Sequence, residues 1–115
     1  MVDRVAELVS EGQAATNQIV RLEMLVGCLD EREFSRNERD FATLAELPIR
    51  QSTWDNAAKL GFLLRRKGIT ASIPDLMIAT SAIEFDMVLI HADKDFNAMV
   101  PFCELRVESY ADAAI

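Results

Sequence analysis

A short apolar run in the last third of the chain constrains its fold more than any other feature. Met87-Val88-Leu89-Ile90-His91 is too short for a helix, and its side chains do not alternate between polar and apolar. This pattern is typical of a strand that is buried on both faces of a parallel sheet. Helical patterns precede and follow it. We therefore predict an α/β domain with a mostly parallel central sheet.

The length and composition allow one domain. A chain of 115 residues has room for a single core, so we expect one domain over residues 1–115. No segment approaches the roughly 18 apolar residues of a membrane span. The first residues also lack the pattern of a signal peptide, so we expect a cytoplasmic protein without a membrane partner. Cys28 and Cys103 lie far apart in sequence, which favours unpaired thiols in a reducing compartment.

The first part of the chain predicts three helices. Asp3 is expected to cap a short helix that ends before Gly12. The segment from Ile19 to Leu29 is almost wholly apolar, which predicts a helix buried around most of its circumference. A more polar helix is predicted over 30–47, where Pro48 stops it.

The second part predicts two further helices. Ser52-Thr53-Trp54-Asp55 has the form of a capping box, and Arg65-Arg66-Lys67-Gly68 is typical of a helix C-terminus. Another helix is predicted over 75–85. Short extended segments are expected at 13–17, 69–73 and 105–107.

Acidic residues recur where strands are predicted to end. Asp75, Asp93 and Asp95 each follow a predicted extended segment, and Glu23 lies in the helix after one. In open α/β sheets, functional crevices lie at the carboxyl ends of the strands. Carboxylates that converge there repel one another unless Mg²⁺ or Mn²⁺ lies between them. The sequence has no Gly-rich phosphate loop, zinc-spaced Cys/His cluster or Gly-x-Ser-x-Gly elbow, which leaves hard-cation chemistry.

Each of these residues also has a structural interpretation. Asp75 is well placed to cap a helix, and Asp93 and Asp95 are common turn residues. Glu23 is harder to explain in this way, because an acid in an apolar helix is costly unless it is paired or bound. His91, the only histidine, favours a hydrogen-bonded structural role over that of a general base.

The acidic balance limits how the chain can meet a nucleic acid. A net charge of −7 argues against a general positive field around the protein. Contact with a nucleic acid would need bound cations or local basic residues, for which the candidates are Arg65, Arg66, Lys67 and Lys94. The first three also suit a helix C-terminus on electrostatic grounds alone.

Three stretches, in order, resemble one known family. Ile19-Val20-Arg21-Leu22-Glu23-Met24-Leu25-Val26-Gly27 is similar to the "iVrlEllxG" helix of VapC-type PIN-domain ribonucleases. Arg65 to Ala79 resembles that family's run into its third acidic residue, and Leu89 to Phe96 resembles its strand and "DxDF" turn. The resemblance covers essentially the whole chain.

The resemblance implies a three-layer α/β/α PIN-like fold and a toxin of a type II toxin–antitoxin pair. Such a toxin is a Mg²⁺- or Mn²⁺-dependent endoribonuclease that hydrolyses RNA with metal-activated water, usually forms a homodimer and is held inactive by an antitoxin. Glu23, Asp75 and Asp93 match the family's second, third and fourth acidic positions, with Asp95 as a supporting acid.

The start of the chain departs from the family pattern. Family members open with an apolar strand that ends in Val-Asp-Thr-Ser or similar, forms the sheet centre and supplies the first metal-binding aspartate. Here helix follows Asp3, so we expect the central strand to be missing. Either the true start lies upstream or the chain pairs with another copy. In both cases we expect weak or no Mg²⁺-dependent ribonuclease activity from these 115 residues.

Two functional hypotheses follow. The first is the ribonuclease toxin, and the alternative is a non-catalytic PIN-like protein that binds an antitoxin or a second copy of itself. Metal titration separates them, because the alternative predicts no tight Mn²⁺ site at Glu23, Asp75 and Asp93. A receiver-like phosphoacceptor domain is disfavoured, since no early strand delivers a phosphoacceptor aspartate.

Overall fold

The strands of the protein pair in parallel. In a computed structural model that describes residues 1–111, β1 (Ala15–Thr16) pairs with β2 (Ala45–Glu46). β3 (Val88–His91) pairs with β4 (Arg106–Ser109), with Leu89 opposite Val107. Each pair is a separate two-stranded sheet. The predicted α/β fold with parallel strands is confirmed.

The described chain divides into an N-terminal unit, residues 2–48, and a C-terminal unit from residue 49 onward. The N-terminal unit contains β1, β2 and the helices α1 (Val2–Ser10), α2 (Gln18–Val26) and α3 (Glu31–Ala42). The C-terminal unit contains β3, β4, the helices α4 (Gln51–Arg66), α5 (Ile73–Glu84) and α6 (Lys94–Met99), and a 3-10 turn at Val100–Phe102. No helix in residues 1–111 is long and apolar enough to cross a membrane.

Local signals set the helix ends of the N-terminal unit. Gly12 follows α1 in the left-handed conformation, with φ of 69°, as its position in the sequence predicts. The Asn17 side chain caps α2 by accepting the N–H of Val20 at 2.9 Å. The Asp30 side chain caps α3 by accepting the N–H of Glu33 at 2.8 Å.

Three predictions for this unit are wrong. Asp3 lies in the first turn of α1, which begins at Val2, so it is not the cap. The third helix stops at Ala42 instead of continuing to residue 47, because the chain turns to pair with β1 and the N–H of Leu47 donates to the carbonyl of Thr16 at 2.7 Å. α2 is not buried around its circumference; its main packing partner is α3, and several of its apolar side chains are exposed.

Packing between α4 and α5 forms much of the core of the C-terminal unit. Leu64 of α4 and Met77 and Ala79 of α5 are almost completely buried, as is Met99 at the end of α6. The two helices approach closely at Gly61, where a Cβ atom would lie 2.8 Å from a methyl carbon of Leu76. The other side of α4 is open to solvent. Its Trp54 and Phe62 side chains are exposed.

The ends of α4 match the sequence in part. Gly68 follows the helix with φ of 82°, which confirms the predicted C-terminus. At the other end the N-cap is Arg50 and not Ser52, and the hydroxyl of Thr53 accepts the N–H of Arg50 at 3.1 Å. The N-cap of the helix therefore lies two residues earlier than the predicted capping box requires.

The segment 69–73 forms no strand in the described chain. It leads from Gly68 into α5, whose first residue is Ile73.

Candidate metal centre

The end of β3 turns sharply into α6 through two acidic residues. Asp93 is the N-cap of α6, and its Oδ1 accepts the backbone N–H of Asp95 at 2.9 Å. The backbone N–H of Asp93 itself donates to Nδ1 of His91 at 3.1 Å. Asp93 and Asp95 are both exposed. Local hydrogen bonds thus hold the backbone of both acidic residues at the carboxyl end of the strand.

Asp75 reaches the same place from α5. Ser72 is the N-cap of that helix, and its Oγ accepts the N–H of Asp75 at 3.2 Å. The structural interpretation of Asp75 as the cap is therefore wrong. Its half-buried side chain lies in the first turn of α5, where the helix dipole favours a carboxylate.

Three carboxylates converge at this edge of the C-terminal unit. Carboxylate oxygens of Asp75, Asp93 and Asp95 lie within 4.8 Å of one another. Oxygen ligands at this spacing suit a hard divalent cation such as Mg²⁺ or Mn²⁺, which commonly takes one or two carboxylates and completes its shell with water. The donor set therefore fits the metal that the sequence predicts.

Glu23 lies in the other unit. It is exposed on α2, so burial in an apolar helix does not require it to have a ligand. The expectation that Glu23 must be paired or bound is therefore wrong, because α2 is not covered on all sides.

The predicted RNA-contact residues are exposed in the C-terminal unit. Arg65 and Arg66 occupy the last turn of α4, and Lys67 is its C-cap. The guanidinium of Arg66 lies over the ring of Phe62, 5.5 Å from its centre. Lys94 lies between the two acids of the β3–α6 turn.

Sequence reasoning missed a partly buried carboxylate that is not part of this cluster. The Glu84 side chain is only 10% exposed. It accepts hydrogen bonds from the hydroxyl of Thr53 at 2.8 Å, from the amide of Asn56 at 3.0 Å and from Arg50 at 3.4 Å. Burial raises the pKa of Glu84, but these hydrogen bonds and the charge of Arg50 outweigh it and lower the pKa. Because Glu84 is an acid in the mostly apolar helix α5, the sequence could have predicted that it has hydrogen-bond partners.

The fold and this acidic edge together define the class of protein. The model of the PIN domain family matches residues 2–100, so the chain belongs to the PIN domain family.

Solved structures agree with this assignment. A chain in VapBC2 from Rickettsia felis, bound to a DNA fragment from the promoter, superposes with a TM-score of 0.76 at 20% identity, over 94% of this chain and 83% of that one. A chain in DNA-bound VapBC from Salmonella typhimurium superposes with a TM-score of 0.74 at 20% identity, over 94% of this chain and 82% of that one. A chain in VapBC-1 from nontypeable Haemophilus influenzae superposes with a TM-score of 0.70 at 18% identity, over 91% of this chain and 86% of that one. The resemblance to VapC-type PIN domains is confirmed at the level of the fold.

Proposed function

We propose that this PIN domain is a metal-dependent endoribonuclease toxin of a type II toxin–antitoxin module. The observation that carries the proposal is the convergence of Asp75, Asp93 and Asp95 from two separate helices and one strand end. Three like charges at this distance repel one another, and a divalent cation between them relieves that repulsion. Membership of the PIN family, whose members are generally nucleases, supports the same reaction class.

The residues have distinct roles in this proposal. Asp75, Asp93 and Asp95 would hold Mg²⁺ or Mn²⁺. For Glu23, the role of metal ligand is proposed on its match to the family motif alone. When bound, such an ion would supply the positive charge that activates water for hydrolysis and stabilises the charge on the phosphodiester. The basic residues bind and orient the RNA backbone. They are Arg65, Arg66, Lys67 and Lys94.

An antitoxin and a second copy of the chain are the proposed protein partners. The three solved structures compared above are of VapBC, which supports an antitoxin as a partner. The N-terminal unit also exposes apolar side chains on and just after α2: Leu22 at 60%, Val26 at 76% and Leu29 at 91%. Large apolar side chains that are exposed within one short segment favour an interaction site. The same surface supports the second candidate function, a non-catalytic PIN-like protein that only binds partners.

Titration with Mn²⁺ distinguishes the two candidates. We expect the chain to bind Mn²⁺ by calorimetry, and Asp75→Asn or Asp93→Asn to weaken that binding by about tenfold or more, since each removes a ligand charge. Asparagine is as good an N-cap as aspartate, so Asp93→Asn should leave α6 intact. Asp55→Asn, at an exposed acid on α4, is the matched control and should bind as the wild type does. Equal affinity in all four proteins would rule out the acidic site and favour the non-catalytic candidate.

A cleavage assay on the same proteins tests the reaction. Any Mg²⁺-dependent cleavage of structured RNA, even if weak, should be retained in Asp55→Asn and abolished in Asp75→Asn, because the second variant removes a proposed ligand charge. Cleavage that Asp75→Asn leaves unchanged would contradict a reaction at the acidic site. A chain that binds Mn²⁺ but cleaves no RNA would favour the non-catalytic candidate.

A further inference from the structure

The residue behind the acidic turn is a buried histidine. We propose that His91 is a positioning residue: its Nδ1 holds the backbone of Asp93, and so keeps the carboxylates of Asp93 and Asp95 beside Asp75. The inference rests on the proposed function, because it concerns the geometry of the proposed metal site. It assigns no contact between His91 and the metal or the RNA.

Buried rings anchor both ends of the exposed turn. His91 is 5% exposed and Phe96 is 6% exposed, whereas Asp93 and Asp95 between them are open to solvent. The two rings contact each other, with centres 5.1 Å apart and planes tilted by 58°. The carbonyl of His91 also accepts the N–H of Tyr110 at 2.8 Å, which ties the start of the turn to the end of β4.

Two consecutive hydrogen bonds link the ring of His91 to Asp93 and Asp95. The N–H of Asp93 donates to Nδ1 of His91 at 3.1 Å, and Oδ1 of Asp93 accepts the N–H of Asp95 at 2.9 Å. If the first bond is lost, the backbone at Asp93 loses the contact that fixes its direction at the end of the strand. The carboxylates would then sample positions farther from Asp75.

The second ring nitrogen argues against a role in packing alone. Because Nδ1 accepts a hydrogen bond from a backbone N–H, the neutral ring carries its proton on Nε2. Nε2 of His91 is buried and has no hydrogen-bond partner among residues 1–111. Burying an N–H donor in this way is costly, and a leucine would fill similar space without that cost. The Nδ1 contact with Asp93 is what a histidine provides here and an apolar residue cannot.

Three substitutions separate positioning from packing. His91→Asn keeps an acceptor oxygen near the place of Nδ1 but leaves a cavity. His91→Leu fills the space and has no acceptor, and His91→Gln places its acceptor near Nε2 instead. Packing alone predicts that leucine is tolerated better than asparagine. Positioning predicts the opposite order for metal affinity.

The experiment measures Mn²⁺ affinity of the full chain by calorimetry. We expect His91→Asn to bind within about twofold of the wild type, and His91→Leu and His91→Gln to bind about fivefold more weakly or worse, as expected for one lost hydrogen bond. Circular dichroism checks that each variant is folded. If His91→Leu does not fold, the comparison of His91→Gln with His91→Asn still decides the order.

A spectroscopic measurement on the wild type does not depend on any variant. His91 is the only histidine, so its ring nitrogen-15 resonances are unambiguous. We expect the metal-free chain to show an unprotonated Nδ1 and a protonated Nε2. A proton on Nδ1 would overturn the proposal.

The outcomes keep the two proposals apart. Mn²⁺ binding that Asp75→Asn weakens but His91→Leu and His91→Gln leave unchanged would overturn the positioning role and leave the proposed function standing. A wild-type chain that binds no Mn²⁺ would overturn the proposed function and the positioning role with it.

Discussion

At the scale of single residues, Glu84 joins the C-terminal end of α5 to the first turns of α4. Its carboxylate accepts hydrogen bonds from Arg50, Thr53 and Asn56. A negative charge beside the start of α4 also suits the dipole of that helix. One partly buried side chain therefore accepts hydrogen bonds from several donors and links the two helices of the core.

Replacing this carboxylate should lower stability. We expect Glu84→Gln to reduce the free energy of unfolding by about 1–3 kcal/mol at pH 7, because an amide cannot accept all of these hydrogen bonds. Urea denaturation measures the loss, and Glu104→Gln, at an exposed acid in the same unit, should change little.

The pH dependence of that loss has a definite sign. The pKa of Glu84 is lowered from its ordinary value of 4.5 in the folded protein. The contribution of its charge to the free energy of unfolding is therefore complete above pH 4.5, and it is lost as the pH falls through the lowered pKa of the folded state. The difference between the wild type and Glu84→Gln should therefore shrink below pH 4.5. A difference that stays constant down to full protonation would show that the charge of Glu84 does not stabilise the fold.

The sequence predicts the positions of some site residues better than those of others. Asp93 and Asp95 follow a recognisable strand, so local pattern was enough to bring them to one turn. The exposure of Glu23 could not be read in the same way, because burial of α2 depends on what packs against it. The contact of His91 with Asp93 depends on a ring orientation that no sequence pattern encodes.

At the scale of elements, the helix caps are the part of the fold most open to test. Ser72 caps α5 through the N–H of Asp75, whereas Ser52, which the sequence predicts to be a cap, lies inside the first turn of α4. We expect Ser72→Ala to cost about 1 kcal/mol of stability and Ser52→Ala much less. Thermal unfolding of the two variants measures this. Equal losses would mean that the boundaries of α4 or α5 are misplaced.

Elements with strong local signals were predicted well, and elements that depend on distant pairing were not. Gly68 and the basic residues before it mark the end of α4 whatever the rest of the chain does. β1 and β2 have two residues each and form only because Ala15 pairs with Ala45, which lies far from it in the sequence. That pairing also ends α3 at Ala42, and no residue within the helix indicates this end point.

At the scale of the whole molecule, the proposed binding of RNA by an acidic protein requires that its positive charge be concentrated locally. The net charge is −7, and three basic side chains lie together at the end of α4. Non-specific attraction to RNA depends on such contacts with phosphates.

Two triple variants with the same net charge test this. Replacing Arg65, Arg66 and Lys67 with glutamine should weaken binding of a labelled structured RNA by about tenfold or more in fluorescence anisotropy. The matched control replaces Arg32, Arg36 and Arg39, which are exposed on α3, and should weaken binding less. Equal losses would show that only overall charge matters and that α4 carries no specific contact.

The position of Trp54 has a practical consequence for measuring the stability of both units. It is the only tryptophan, and the only tyrosine, Tyr110, lies in the same C-terminal unit. Intrinsic fluorescence therefore reports on that unit alone, whereas far-ultraviolet circular dichroism also registers the helices of residues 2–48. Coincident transitions by the two probes would identify a single cooperative unfolding event, and separated transitions would show that the units melt independently.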